Sequence, residues 1–180
     1  MKLKENCLME IYTDNEDSFS VGFYLSSFDN FTLFHLLDAQ GKFDGIYLIK
    51  NDCIKNINYE TEYLNKINSY IEFWNNKLEK NPFSIESYIK NFLTMEELLN
   101  YIQINNILSS FKLMEEKHLI TGYIQFFEQN NIEIKTIDIG TAKEMEIISF
   151  AKEDIVLIEI VSIDNMLLNY AHLKKINFGN

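Results

Sequence analysis

The sequence predicts a mainly β protein, with two five-stranded small barrels in tandem joined by a helical connector. Three observations predict it. First, the chain repeats itself: Val21-Gly22-Phe23-Tyr24 returns as Thr121-Gly122-Tyr123-Ile124, one hundred residues later, with Asn30 on Asn130 and Asp38 on Asp138. After the loop at Gly41 the offset becomes 101, and Ile46, Ile54 and Ile57 fall on Ile147, Ile155 and Ile158. Second, each copy breaks into short apolar stretches separated by short polar turns, the pattern of a highly curved barrel. Third, the stretch between the copies has apolar residues three and four apart, which is helical spacing. The predicted organisation is a first barrel over residues 1–60, a connector over 61–106 and a second barrel with a C-terminal helix over 107–180, the copies related by a pseudo-two-fold.

The elements follow in order. Cys7 to Thr13 is a short apolar-rich strand, and Asp14-Asn15-Glu16-Asp17-Ser18 a polar turn. Phe19 to Ser26 alternates Phe19, Val21, Phe23 and Leu25 on one face, the strand period. Phe31 to Asp38 places Phe31, Leu33, His35 and Leu37 on one face and Phe34 and Leu36 on the other. Asp44 to Lys50 and Ile54 to Tyr59 complete the first set, with Asn51-Asp52-Cys53 between them long enough for one tight helical turn. The second set runs Ile107 to Met114, Leu119 to Phe127, Ile132 to Ile139, Glu144 to Phe150 and Ile155 to Val161.

The connector begins with a helix from Thr61 to Glu79, carrying Tyr63, Leu64, Ile67, Tyr70, Ile71, Trp74 and Leu78 on its apolar face. Asn81-Pro82 ends it, because proline disfavours a helical residue before it. Ser84 caps a short helix to about Asn91. Thr94-Met95-Glu96-Glu97 is a capping box preceding Leu98, Leu99 and Ile102. Asp164 caps a closing helix through about Lys175. A barrel of about 50 residues buries too little core to stand alone in comfort. The connector helices are therefore expected to pack on the barrels, and their apolar load is not that of a flexible linker.

Composition narrows the function. The net charge is −11, and the sixteen basic side chains are all lysine. Without arginine there is no bidentate fork for phosphate or guanine, and the acidic field opposes a polyanion. No apolar segment follows basic residues at the N-terminus, and no apolar run approaches the roughly 20 residues of a membrane span. The expectation is a cytoplasmic protein with no signal peptide and no membrane partner. Cys7 and Cys53 are read as reduced, buried thiols.

The candidate site residues are structural. Gly22 and Gly122 mark a strand bend that excludes a side chain. Asp38 and Asp138 close the third strand of each copy as turn or cap residues. His35 alternates with Phe31, Leu33 and Leu37, as a satisfied core histidine does, and neither His118 nor His172 has a ligand at helical spacing. Asp14, Glu16 and Asp17 lack the glycine and terminal glutamate of a calcium loop. No phosphate-binding glycine loop, dinucleotide motif or nucleophile elbow is present, so neither a catalytic residue, a metal nor a cofactor is expected.

Gly22, Leu25, Phe28-Asp29 and Leu33, followed by the alternating third strand, resemble the Sm-like family over about 50 residues of each half. One residue more than usual separates the glycine from Phe28-Asp29, and the second copy keeps Gly122 but has Glu128-Gln129 instead. The resemblance implies a small barrel that assembles through its edge strands. The family's RNA-contacting asparagine falls near Thr32 or Leu33 here, and its basic-glycine loop has no match, so those residues do not carry over. The expected function is non-catalytic binding of a protein partner or of a second copy. The alternatives are an Sm-like RNA-binding protein and an acidic protein that neutralises a basic partner.

Overall fold

The computed structural model describes residues 3–13, 18–77 and 92–178. Two compact units divide the chain, Met1–Leu93 and Thr94–Asn180. Among the described residues are ten strands and three α-helices, a mainly β fold. The first unit contains β1 (Leu8–Tyr12), β2 (Phe19–Phe28), β3 (Phe31–Leu37), β4 (Phe43–Lys50), β5 (Asn56–Asn58) and α1 (Glu62–Lys77). The second contains α2 (Met95–Ile104), β6 (Ser109–Leu113), β7 (Ile120–Glu128), β8 (Asn131–Ile137), β9 (Glu144–Ala151), β10 (Ile155–Ser162) and α3 (Ile163–Phe178). The connector is thereby divided, α1 belonging to the first unit and α2 to the second. The acidic turn at Asp14–Asp17, the Asn81-Pro82 break and the short helix expected from Ser84 lie outside the described residues.

Within each unit the strand order is the same: β5-β1-β2-β3-β4 in the first and β10-β6-β7-β8-β9 in the second. Neighbours are antiparallel. Each run is an open series rather than a ring of pairs, so among the described residues the ladders form an open sheet and do not establish the two closed barrels expected. Closure needs hydrogen bonds between the end strands, and β5 is only three residues long.

The repeat extends into fine geometry. A bulge interrupts the β2–β3 register between Tyr24 and Ser26, and the β7–β8 register between Ile124 and Phe126. Left-handed backbone recurs at Asn6 and Asn106, at Asp29 and Gln129, and at Gly41 and Ala142. The amide of Asn51 donates to the Asn30 carbonyl at 2.9 Å, and that of Lys152 to the Asn130 carbonyl at 2.8 Å. One 3-10 turn separates the last two strands of each unit, at Asn51–Cys53, where the short loop predicts it, and at Lys152–Asp154.

The repeat also includes a helix. Thr61 and Ser162 stand 101 residues apart, and each caps the helix that follows it. The Leu64 amide donates to Thr61 Oγ1 at 3.2 Å and the Asn165 amide to Ser162 Oγ at 3.0 Å. The cap of the closing helix is therefore Ser162 rather than the expected Asp164, because β10 runs into α3 with no loop between them. Both helices have 16 residues, and their cores correspond. Leu8, Val21, Leu64 and Ile67 pack with Phe23 and Leu37 in the first unit. Leu108, Tyr123 and Ile137 pack with Leu168 in the second. The helix α2 has no such twin among the described residues: Thr94 caps it, Glu97 N donating to Thr94 Oγ1 at 3.1 Å, and it buries Met95, Leu98, Leu99 and Ile102. Its Gln103 Nε2 donates to the carbonyl of Gln125, the bulge residue of β7, at 3.0 Å.

Candidate functional site

Gly22 and Gly122 lie where β2 and β7 press on the backbone of the next strand. A Cβ on Gly22 would stand 2.2 Å from the His35 carbonyl oxygen, and one on Gly122 2.3 Å from that of Lys135. Asp38 and Asp138 organise the turn after the third strand. Asp38 Oδ1 accepts from the amides of Gln40 and Lys42 at 2.8 and 2.9 Å. Asp138 Oδ1 accepts from the amide and hydroxyl of Thr141 at 2.8 and 2.5 Å. These four residues position backbone, each within its own unit.

His35 sits between the rings of Phe23 and Phe43, with centroids 5.8 and 5.1 Å away. Its Nε2 is buried without a hydrogen-bond partner, so it is not the satisfied histidine the alternation predicts. Burial lowers its pKa from 6.5 to about 4 and holds it neutral. His172 is buried on α3, where Nδ1 meets the Ala142 carbonyl at 3.0 Å and Nε2 lies 3.8 Å from Glu144 Oε1. Cys7 and Cys53 are half-buried rather than the buried thiols expected. Thr32 is buried and donates to Asn51 Oδ1 at 2.7 Å. No group of three or more histidine, cysteine, aspartate or glutamate side chains suited to a metal occurs among the described residues. Nor is any described helix long and apolar enough to cross a membrane.

Two surface features of the second unit stand out. One is β9, which pairs only with β8 among the described residues. Its residues 144–147 are all exposed, and Met145 and Ile147 are 53% and 56% accessible. An exposed strand with apolar side chains and one unpaired edge is a template for another strand.

The other is a crevice of about 960 Å³ bordered by α3, by the β6–β7 turn and by the β8–β9 turn. Its floor is a buried polar chain that joins three strands to the helix cap. Ser110 Oγ lies 2.8 Å from Thr121 Oγ1 and donates to Asn165 Oδ1 at 2.9 Å. Ser162 Oγ donates to Glu159 Oε1 in a short hydrogen bond. Glu159 itself is 8% exposed and lines the crevice. Above this floor stand Leu119, Ile139, Leu167 and Leu168, with Lys117, His118 and Asp164 at the edge.

The first unit contains the same cross-strand pair with its carboxylate moved to the other strand. Glu10 faces Asn58 in β1–β5 as Ser110 faces Glu159 in β6–β10. Glu10 accepts from Thr61 Oγ1 at 2.5 Å, Tyr12 Oη at 3.0 Å and Asn58 Nδ2 at 3.5 Å. Sequence reasoning missed both carboxylates, because each stands inside an apolar strand where alternation alone does not say what it meets. The signal available was the repeat: Thr61 and Ser162 stand 101 residues apart, each one residue before its helix, Thr61 three residues beyond β5 and Ser162 at the end of β10.

Compared with known proteins, the chain matches no family model, no curated protein and no solved structure.

Proposed function

We propose that the protein is a non-catalytic assembly protein. Its two units are Sm-like small barrels left open between their end strands, and β9 pairs with a strand of a second copy. The single observation that carries this reading is the exposed, apolar, one-sided β9. Its equivalent β4 buries Ile46, Leu48 and Ile49 to 2% exposure or less. Five of its eight residues are exposed, and Met145 and Ile147 stand among them beside Glu144 and Glu146, so two charges flank an apolar pair that no other described strand covers. The common strand order of the two units, with its glycine-marked bend and third-strand aspartate turn, supports the Sm-like reading. Main-chain pairing along an edge supplies affinity, and the outward side chains supply selectivity.

The test is Ile147→Lys. A lysine on an exposed edge opposes pairing and leaves the buried core untouched. Light scattering is expected to show the wild-type oligomer dissociating in the variant, with the melting temperature of the dissociated chain preserved. An oligomer of unchanged mass in the variant would remove β9 from the interface.

A further inference from the structure

The crevice in the second unit is best understood against the same place in the first. The positions equivalent to Leu119, Asp164, Asn165 and Ala171 are Phe19, Tyr63, Leu64 and Tyr70. Among the described residues there, larger side chains stand at these positions. Phe19 and Tyr63 meet edge to face at 5.2 Å, Leu64 is 2% exposed, and Lys66 Nζ covers the Tyr63 ring at 4.0 Å. In the second unit each of the four is smaller or more polar, and the result is a crevice in the size range of small-molecule sites. The same strand order and helix therefore carry aromatics at this place in one unit and small or polar side chains in the other.

The chemistry of the open version selects a ligand class. The floor bears a carboxylate, Glu159, at 8% exposure, and Asp164 adds a second negative charge at the edge. Lys117 is the basic side chain among the crevice residues, and it is exposed. A carboxylate set in low-dielectric walls attracts a cation and repels an anion more strongly than one in water. The walls are apolar, with Leu167 and Ile139 63% and 76% exposed. We propose that this crevice binds a small amphipathic organic cation, its ammonium group toward Glu159 and its apolar body on Leu167, Leu168 and Ile139. This inference is independent of pairing through β9.

The experiment is a titration of the full chain, followed by amide NMR, with octylamine, octanol and octanoate as probes of equal apolar length. Octylamine is expected to shift the amides of Thr121, His118 and Ala171 and to bind about tenfold more tightly than octanol, with octanoate weakest. Ala171→Tyr, which restores the aromatic of the first unit, is expected to abolish these shifts while melting no lower than wild type. Glu159→Gln is expected to remove the advantage of the amine over the alcohol. Octanoate binding as tightly as octylamine would overturn the proposal. So would undiminished octylamine shifts at the same amides in a folded Ala171→Tyr chain.

Discussion

Gly22 and Gly122 show how one missing methyl group can set the path of a strand. The carbonyl of His35 lies where a Cβ on Gly22 would be, and that of Lys135 where one on Gly122 would be. A backbone carbonyl has no rotamer through which to move aside, so relief requires the strands to separate. Gly22→Ala and Gly122→Ala are each expected to cost about 1–3 kcal/mol. Equal melting temperatures for both variants and wild type would show that the approach is not restrictive. His35 gives a pH-dependent counterpart. Its pKa is near 4 in the folded chain and 6.5 when unfolded, so in between the unfolded state holds the extra proton. Its contribution is therefore fully present above 6.5 and is lost as the pH falls toward 4. The loss is at most about 3 kcal/mol. His35→Phe should flatten the melting temperature over this window, and a slope as steep as wild type would assign the dependence to other groups. The glycines were legible because they recur at a fixed offset. The unpartnered His35 nitrogen was not, since alternation places a side chain on a face without saying what polar group waits there.

At the scale of elements, the strands were legible and the caps only partly so. Short alternating segments between polar turns located all ten described strands to within about two residues. Thr94 was readable as a cap because a polar turn precedes an amphipathic run. Ser162 was not, because it ends a strand that passes directly into a helix. The kinship of α1 and α3 was hidden for a related reason. Their matching positions pair Tyr63 with Asp164 and Tyr70 with Ala171, so the shared helix survives in position and cap but not in residue type. Each cap hydroxyl serves two groups: it accepts from the helix and donates to a buried carboxylate, Glu10 or Glu159. Thr61→Ala and Ser162→Ala are thus expected to exceed an ordinary cap loss of about 1 kcal/mol and reach about 2–3 kcal/mol. Denaturant unfolding measures this directly. A loss no larger than that of Thr94→Ala, whose hydroxyl caps an exposed helix start, would separate the carboxylates from the caps.

At the scale of the molecule, the two units share one strand order and differ in their surfaces. The duplicated plan was legible from the offset of 100 and 101 residues. The exposed edge and the crevice were not. A cavity is the sum of several side chains becoming smaller at positions far apart in sequence, and an edge is defined by what fails to pair. The central claim is that β9 joins copies of the chain. The most direct measurement is the mass of the purified chain by light scattering on a size-exclusion column, over a range of concentrations and with and without nuclease, with absorbance read at both nucleic-acid and protein wavelengths. We predict a defined multiple of 21.3 kDa, free of nucleic acid and insensitive to nuclease. A single 21.3 kDa species at every concentration, or a larger one that nuclease dissolves, would contradict the account.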